Sequence, residues 1–246
     1  MNAIAVVQAR MGSTRLPGKV LLPLAGTTVL GCVVERLSRC GSLRGIVVAT
    51  SELAQDDPVV EEAERLGVRS ARGDADDVLA RYCDAARAFG ADPVVRITSD
   101  CPLIDPGVVD AVVAAFAAGD CDYASNTIDR TYPRGLDVEV ASFAALERAR
   151  RDASDGYERE HVTPHLYRHP ESFRIRSYRD PEGADRSALR WTLDSPEDYA
   201  FVRAAYAACP HVKPGDVRTA DLLAALARSP GLAAINADVR QKGEES

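Results

Sequence analysis

IAVVQARMGSTRLPGKVL, residues 4–21, joins a short apolar run to a loop rich in glycine and cations. The run from Ile4 to Val7 is typical of a buried strand. The loop that follows contains two glycines, a proline and three cations, Arg10, Arg15 and Lys19. Exposed backbone N–H groups and fixed positive charges can converge on an anion, so a strand leading into such a loop favours phosphate binding.

Two familiar phosphate-binding fingerprints do not fit this loop. Five residues separate Gly12 from Gly18, one more than a P-loop allows, and Val20 stands where Ser or Thr would hold the metal. No G-x-G-x-x-G pattern follows the strand, so a dinucleotide-binding fold is not indicated. The segment is then either a solvated surface turn or a long basic loop that wraps a whole triphosphate.

The composition indicates a soluble globular protein. The 246 residues are 46% hydrophobic and 27% charged, and we predict a single domain over residues 1–236 followed by a polar, frayed tail over 237–246. The net charge of −7 argues against a nucleic-acid partner, because such a partner needs a basic face. No apolar stretch is long enough to span a membrane and no signal peptide is apparent, so we expect no membrane partner and a cytoplasmic location.

Strands and helices alternate along the first half of the chain. Short apolar runs at residues 4–7, 46–49, 68–71 and 93–97 predict strands, each followed by a helical apolar stripe. Repeated units of this kind predict an α/β fold with a Rossmann-like, mostly parallel sheet and helices on both faces. Such sheets bind ligands beyond the carboxyl ends of their strands, where the strand order reverses. We therefore expect the basic loop to meet Asp100, which follows a later strand, at that edge.

The second half is less regular. Strands are predicted at residues 122–125 and 138–141, on either side of a loop over 126–136. One continuous helix is predicted over residues 158–168. Further strands are predicted at residues 173–178 and 191–193.

Asp100 and Asp194 each follow an apolar strand pattern. Asp100 lies in an irregular segment closed by Pro102, and Asp194 precedes a Ser-Pro-Glu helix start. Either carboxylate could cap a helix or bind a metal, and on the pattern alone a cap is the commoner role. Mg²⁺ needs only one or two protein carboxylates, because phosphates and water supply its other ligands. The pattern leaves both roles open.

QARMGSTRLPGKVL, residues 8–21, resembles the signature loop of the CMP-sugar synthetase superfamily. The resemblance is to SpsF-like spore-coat polysaccharide cytidylyltransferases in particular, which are related to CMP-Kdo and CMP-sialate synthetases. It implies a sheet of the GT-A or nucleotidyltransferase type, with CTP as a substrate. It also implies that Arg15 and Lys19 hold the β- and γ-phosphates and stabilise the departing pyrophosphate. The implied nucleotide-binding residues in this loop are Ala9, Arg10, Gly12, Ser13, Arg15 and Lys19, of which Arg10 and Lys19 are also expected to act in catalysis.

Two acidic segments extend the resemblance. SDCPLI, residues 99–104, resembles the family's G-D-x-P-L-I metal-binding element, and DSPED, residues 194–198, resembles its D-T-P-E-D element. The resemblance implies that Asp100 and Asp194 are catalytic carboxylates that hold Mg²⁺. The last two acids of DSPED are expected to lie at a helix N-terminus, where the helix dipole favours them.

Two further segments resemble the family on the nucleotide and acceptor sides. RGD, residues 72–74, with DVLARY after it, matches a nucleotide-side element and implies that Arg72 contacts cytosine or ribose. RGLDVEV, residues 134–140, matches the acceptor region of SpsF-like proteins and implies that Asp137 and Glu139 contact the acceptor. The alternative interpretation of RGLDVEV is a β-turn that enters a strand.

His161, His165 and His169 are spaced four residues apart, which suggests a zinc site on one helical face. Pro164 interrupts this spacing, no Glu follows His161 as in H-E-x-x-H, and no fourth ligand is apparent, so we do not predict a metal there. The surrounding REHVTP segment also resembles SpsF-like proteins. His161 is accordingly expected to contact the acceptor.

The sequence therefore predicts a Mg²⁺-dependent cytidylyltransferase of polysaccharide biosynthesis that transfers CMP from CTP to a small acidic acceptor and releases pyrophosphate. The expected acceptor is a sugar acid such as a nonulosonic acid, although another acid or a phosphonate fits the motifs equally well. One alternative is a GT-A-type glycosyltransferase that uses a nucleotide sugar. The other is a non-catalytic nucleotide-binding protein, although a pure sensor needs no pair of metal carboxylates. The resemblance also implies a homodimer, to which Trp191 or the 126–136 loop would contribute.

Overall fold

The computed structural model describes residues 1–241, and within them seven strands form one sheet. In chain order the sheet strands are β1 (Ile4–Gln8), β4 (Gly45–Ser51), β5 (Arg69–Gly73), β6 (Val94–Thr98), β7 (Tyr123–Ser125), β8 (Glu139–Ala141) and β9 (Ile175–Ser177). A short antiparallel hairpin lies outside this sheet and consists of β2 (Pro23–Leu24) and β3 (Thr27–Thr28).

The spatial order of the sheet is β5-β4-β1-β6-β8-β7-β9. Among these strands only β8 runs antiparallel to its neighbours. The prediction of a mostly parallel sheet is confirmed. The strand order reverses between β1 and β6, because the chain first builds outward to β4 and β5 and then returns to the other side of β1.

The described residues also form ten α-helices. Side-chain caps fix where six of them begin, and Thr28, Asp77 and Asp105, for example, each accept a backbone N–H of the first turn. The helices are α1 (Val29–Leu37), α2 (Asp57–Arg65), α3 (Val78–Phe89), α4 (Pro106–Ala117), α5 (Phe143–Asp152), α6 (Gly156–His161), α7 (Pro164–Arg168), α8 (Pro196–Ala207), α9 (Thr219–Arg228) and α10 (Gly231–Ala234).

Helices cover both faces of the sheet, as predicted. Successive residues of β1 enter two different hydrophobic cores, with Ala5 and Val7 on one face and Ile4 and Val6 on the other. Helices α1 and α4 pack into the first core, and α3 and α5 pack into the second. Because both faces of β1 are buried, its sequence is a continuous apolar run rather than an alternating one.

The helix predicted over residues 158–168 is two helices in the structure. Helix α6 ends at His161 and α7 begins at Pro164, and Val162 between them has a φ of 73°, in the left-handed region. Pro164 has no backbone N–H with which to continue a helix, so it begins a new one instead. The prediction of one continuous helix was wrong.

The strand predicted over residues 191–193 is absent from the described sheet. The nearest pairing is an isolated bridge between Arg134 and Arg190. The two segments cross so closely that a Cβ at Gly135, whose φ is 104°, would lie 2.5 Å from the carbonyl carbon of Trp191. Trp191 itself is 1% exposed and lies within the core of the chain. Contrary to the expectation from the sequence, its side chain is therefore not available to a dimer interface.

The tail predicted over residues 237–246 is described only as far as residue 241, and the remainder lies outside the described residues. Gln241 accepts a hydrogen bond of 2.7 Å from Arg190, so the first part of this segment contacts the domain rather than fraying from it. Within residues 1–241, none of the helices is both long enough and apolar enough to cross a membrane.

Candidate functional site

A cleft opens beyond the carboxyl ends of β1 and β6, at the predicted switch point of the sheet. Backbone hydrogen bonds hold the chain there, from Ala9 N–H to the Ala49 carbonyl and from Ser99 N–H to the Gln8 carbonyl, both 3.1 Å long. The cleft has a volume of about 350 Å³, and we call it the site cleft. It is lined by Gln8, Ala9, Arg10, Val78, Arg81, Arg96, Thr98, Asp100, Cys101, Arg134, Gly135, Asp137, Glu160, His161, Thr192, Asp194 and Gln241.

Lys19 joins the two predicted metal carboxylates. Its Nζ lies 2.8 Å from Asp194 Oδ1 and 3.2 Å from Asp100 Oδ2. The same ammonium donates a hydrogen bond of 2.8 Å to the carbonyl oxygen of Leu193. The fold therefore brings two carboxylates that are far apart in sequence close enough to share one cation.

The charges of these three residues stabilise one another. Burial alone would lower the pKa of Lys19, but the negative charges of Asp100 and Asp194 outweigh it and raise that pKa above its ordinary value. Burial would likewise raise the pKa of Asp100, and Lys19 together with the Thr98 hydroxyl lowers it instead. Lys19 is therefore protonated and Asp100 ionised at neutral pH.

Backbone geometry in the basic loop brings Lys19 to the cleft. Gly18 adopts a φ of 67° and donates its N–H to the carbonyl oxygen of Met11 at 3.0 Å, which closes the loop. The buried carboxylate of Asp56 accepts the N–H of Met11 at 2.7 Å and also accepts the hydroxyl of Ser51. Asp56 thus ties the loop to the carboxyl end of β4. Sequence reasoning missed Asp56, since no motif marks it.

Asp194 is oriented by two residues whose role was not predicted. Arg190 donates to Asp194 Oδ2 at 3.1 Å and to the two carboxylate oxygens of Asp198 at 2.9 and 2.8 Å. Asp198 is fully buried and also accepts the N–H of Asp194 at 3.0 Å and the amide of Asn236 at 2.8 Å. Asp198 occupies the first turn of α8, as predicted, and in addition it supports Asp194. The DSPED spacing was a signal for Asp198, whereas nothing in the sequence marked Arg190.

The structure brings most of the predicted site residues together. Arg15 and Lys19 lie at the edge of the cleft, where Arg15 Nη2 is 3.0 Å from Asp194 Oδ2. Gly12 and Ser13 belong to the same loop but do not line the cleft. The predicted residues that do line it are Ala9, Arg10, Asp100, Asp137, His161 and Asp194.

Arg72 lies at the carboxyl end of β5 but outside the site cleft. Its guanidinium donates to the carbonyl oxygens of Ser51 and Leu53, both at 2.9 Å, and to Asp57 at 2.6 Å. These contacts fasten the segment between β4 and α2 to the sheet. Arg81 of the DVLARY segment lines the cleft instead. Sequence reasoning missed Arg81 because it lies on the buried side of α3, where the helical pattern predicts apolar residues.

A second cavity of about 450 Å³ adjoins the site cleft, and we call it the side chamber. Tyr157 and Tyr167 on its wall are among the exposed large apolar side chains of the described chain. The residues that it shares with the cleft are Arg96, Arg134, Asp137 and His161. Its other lining residues are Thr127, Ile128, Arg130, Glu139, Tyr157, Thr163, Pro164 and Tyr167.

Ion pairs lie at the junction of the two cavities. Arg130 donates to both carboxylate oxygens of Asp137, at 2.5 and 2.9 Å. Glu160, next to His161 in α6, lies 3.8 Å from the guanidinium of Arg10. The segment that carries His161 therefore reaches both the basic loop and the side chamber.

Glu139 lies beneath the side chamber and is nearly buried. Its carboxylate pairs with Arg96 and accepts the hydroxyl of Tyr123 at 2.6 Å and the hydroxyl of Thr163. Burial raises the pKa of Tyr123, and the nearby Glu139 charge raises it further. With three donors on its carboxylate, Glu139 is placed to support the chamber floor, whereas Asp137 faces both cavities.

The donor set around Lys19 suits a divalent cation. Mg²⁺ prefers oxygen ligands and takes one or two protein carboxylates. Oxygens of Asp100, Leu193 and Asp194 surround one position, and the ammonium of Lys19 already occupies it. Their chemistry therefore suits Mg²⁺, which would bind them at the shorter distance of about 2.1 Å in place of the ammonium.

The chain is similar to known proteins along most of its length. A family model described as cytidylyltransferase matches residues 4–206. The spore coat polysaccharide biosynthesis protein SpsF of Bacillus subtilis is 33% identical over 95% of this chain and 98% of its own length. A solved cytidylyltransferase from Leptospira borgpetersenii is 34% identical, with a TM-score of 0.89 over 98% of this chain and 100% of that one. A CMP-2-keto-3-deoxy-manno-octonic acid synthetase complexed with CTP has the same fold, at 20% identity and a TM-score of 0.67 over 84% of this chain and 99% of that one.

Proposed function

The chain belongs to the cytidylyltransferase family, and from that premise we propose that it transfers CMP from CTP to a small acidic acceptor, with Mg²⁺ as cofactor and pyrophosphate as the second product. The observation that carries this proposal is the convergence of Asp100 and Asp194 on the ammonium of Lys19 at the edge of the site cleft. Transfer of a nucleotidyl group needs charge neutralisation and positioning, and this arrangement can supply both.

The basic loop supports a triphosphate substrate. The side chains of Arg10 and Arg15 are 50% and 33% exposed, so their guanidinium groups can turn to a ligand. The Asp194 carboxylate that Arg15 would leave keeps its hydrogen bond from Arg190. Arginine offers forked donors to phosphate oxygens, and the ammonium of Lys19 adds a point charge. Together they would stabilise the charge that develops on the departing pyrophosphate. The CTP bound to the similarly folded CMP-2-keto-3-deoxy-manno-octonic acid synthetase supports CTP as the nucleotide.

Asp100 and Asp194 would hold the Mg²⁺ ion, and Arg190 and Asp198 would keep Asp194 in the required orientation. When bound, Mg²⁺ neutralises charge on the phosphate oxygens during transfer. Lys19 would then leave the carboxylates and donate to the triphosphate. The ammonium keeps its proton in both positions, because each places it beside negative charge.

The side chamber supports an acidic acceptor. Arg130 on its wall and Arg134 at its junction with the cleft provide guanidinium groups of the kind that bind a carboxylate or a phosphonate. The rings of Tyr157 and Tyr167 offer an apolar surface for the carbon skeleton of a sugar. The similarity to SpsF supports a sugar acid of polysaccharide biosynthesis, for which a nonulosonic acid is the first candidate.

The test is pyrophosphate release by the full-length protein with each of the four NTPs, Mg²⁺ and a panel of sugar acids and phosphonates. We expect release with CTP alone among the nucleotides and with one class of acceptor. The variant Asp100→Ala should lose this activity. Glu61→Gln, which removes an exposed carboxylate from α2 far from the cleft, is the matched control and should keep it.

Two outcomes would overturn the proposal. Tight CTP binding without pyrophosphate release from any acceptor would indicate a non-catalytic nucleotide-binding protein. Consumption of a nucleotide sugar, with a nucleoside phosphate and no pyrophosphate as product, would indicate a glycosyltransferase.

A further inference from the structure

Glu158, His165 and His169 form a cluster of metal-binding side chains away from the two cavities. One ligand atom from each of them lies within 4.8 Å of the others. Glu158 is 7% exposed and His165 is 8% exposed, whereas His169 is partly open to solvent. We propose that this cluster binds a divalent transition-metal ion of the zinc type, separate from the Mg²⁺ position at Asp100 and Asp194.

The distances within the cluster suit a tetrahedral ion. His165 Nδ1 is 2.8 Å from Glu158 Oε2, and His169 Nε2 is 3.9 Å from Glu158 Oε1. Ligands bound about 2.1 Å from zinc in tetrahedral geometry are about 3.4 Å apart, which lies between these two separations. The two imidazole rings are also close, with centroids 4.4 Å apart. Small side-chain rotations can therefore bring all three ligands onto one ion.

A fourth residue fixes the orientation of His169. Nδ1 of His169 lies 3.0 Å from Glu171 Oε1, and this contact leaves Nε2 facing Glu158. A carboxylate on the far nitrogen of a ligating histidine is the common arrangement in metal sites, where it sets the ring orientation and raises the basicity of the ligand. Glu171 has that position here.

The break between α6 and α7 creates the cluster. The positive φ of Val162 ends α6, which carries Glu158, and the chain then starts α7, which carries His165. His161 lines the site cleft as a result, while the other two histidines face Glu158. The sequence spacing suggested three histidines on one face and gave no sign of a carboxylate ligand from the preceding helix.

The donors favour one class of ion. Two imidazoles and one carboxylate suit Zn²⁺ and its transition-metal neighbours, whereas Mg²⁺ prefers oxygen ligands alone. Arg168 is the competing cation, since its Nη1 is 4.0 Å from Glu158 Oε1, but that nitrogen also lies 3.7 Å from Asp155. A bound ion would join α6 to α7 and so fix the wall of the site cleft that carries His161.

The test is titration of the full-length, tag-free protein with Co²⁺ in the presence of excess Mg²⁺. The visible absorption of Co²⁺ bound to nitrogen ligands is the signal that monitors binding. We expect saturation at one Co²⁺ per chain and displacement of that Co²⁺ by Zn²⁺. His169→Gln and His165→Gln should abolish the absorption. Glu171→Gln should weaken binding about 10-fold or more, because it removes the residue that orients His169.

Three control variants identify the site. His211→Gln changes an exposed histidine elsewhere, and His161→Gln changes the histidine of the same segment that faces the cleft, so both should bind Co²⁺ normally. Asp100→Asn should also bind it, since it affects only the proposed Mg²⁺ position. His169 is the more exposed ligand, so its variant tests the proposal even if the buried His165 variant misfolds, which circular dichroism would reveal. No Co²⁺ absorption by the unaltered protein, or full absorption by His169→Gln, would overturn the proposal and leave the cluster as a hydrogen-bonded clamp.

Discussion

The proposed nucleotide side, formed by the basic loop, and the proposed acceptor side, formed by the side chamber, hold their charges in different ways. On the nucleotide side, three cations come from one loop, residues 10–19, and two of them remain substantially exposed. On the acceptor side, the side chains of Arg96 and Arg130 are only 15% and 16% exposed, and each is paired with a carboxylate of the same chain. Both sides are neutralised by internal ion pairs, but Arg10 and Arg15 are more open to solvent than Arg96 and Arg130 and can exchange partners with a charged ligand more readily.

This difference predicts which kinetic constant each side controls. Cations that can turn to a phosphate should act mainly on turnover, because they stabilise charge that grows during the reaction. Cations held in internal pairs should act mainly on acceptor affinity and selectivity, because an acceptor must compete with the partner that is already there. Four variants test this division.

Lys19→Met should have the largest effect. It removes the cation that bridges Asp100 and Asp194, and we expect kcat to fall by ~10²–10³-fold, the usual loss for one group that stabilises the developing charge. The acceptor KM should change little. Steady-state kinetics measure both constants, with Lys213→Met as the control, because Lys213 is an exposed lysine that does not line the cleft. A large rise in acceptor KM with unchanged kcat would contradict the division.

Arg130→Met should affect the acceptor side alone. It leaves Asp137 without its two hydrogen bonds, and we expect kcat/KM for the acceptor to fall about 10- to 100-fold, as for the loss of one charged hydrogen bond of about 1.5–3 kcal/mol. The KM for CTP should stay within about 2-fold, since Arg130 itself does not line the site cleft. Arg179→Met removes an exposed arginine from the same half and serves as the control. An equal fall in kcat/KM for the acceptor and for CTP would show that the two sides are not separable.

Asp198→Asn should lower stability in a pH-dependent way. Burial raises the pKa of Asp198, but hydrogen bonds from Arg190 and Asn236 outweigh it and bring that pKa below its ordinary value of about 3.9. A carboxylate whose pKa is lower in the folded state contributes stability that is fully present above the unfolded value and is lost as the pH falls through the folded value. We expect the variant to be about 2 kcal/mol less stable at pH 7, with the difference shrinking below about pH 4.

Urea denaturation at several pH values measures this difference. The removal of a carboxylate from an exposed position, as in Glu61→Gln, is the control and should not reproduce the pH dependence. A stability difference that is constant from pH 7 to pH 3 would mean that the charge of Asp198 is not what holds Asp194.

Arg72→Met should have the smallest effect. Its guanidinium fastens the segment after β4 and lies outside the site cleft, so we expect a stability loss of about 1 kcal/mol or less, as for a surface ion pair. The KM for CTP should change less than about 3-fold. A 10-fold rise would instead favour the interpretation, implied by the sequence resemblance, that Arg72 contacts cytosine or ribose. Thermal denaturation and CTP kinetics measure the two quantities.

The positions of the residues on the proposed nucleotide side were easier to predict, because these residues fall in short segments that directly follow predicted strands. The basic loop follows a buried strand, and Asp100 follows another, so the parallel-sheet rule alone places both at one edge. In the structure Lys19 and Asp194 lie together at that edge. Asp56 was missed because its partner Met11 lies 45 residues away in sequence. Arg190 was missed although its partners Asp194 and Asp198 follow closely, because no motif marks it.

The acceptor side was harder to predict for a physical reason. Its walls combine short helices and loops whose directions depend on single backbone angles, such as the positive φ of Val162. The helical pattern around His161 gave no sign of this break, so the spacing of the three histidines was misleading. Glu139 was placed on the correct strand, but whether its carboxylate faces a cavity or a ring of donors depends on tertiary packing.

The position of Lys19 also has a consequence for the order in which ligands bind. In the free protein Lys19 is the internal counter-ion of two carboxylates, so a divalent ion must exchange with an ammonium that is already bound. That exchange becomes favourable when the displaced ammonium gains a new anion, and the triphosphate supplies one. Under the proposed function, metal and nucleotide would therefore be linked thermodynamically, and each would raise the affinity for the other by the same factor. The charges of Lys19, Asp100 and Asp194 would thus neutralise one another until both ligands are present.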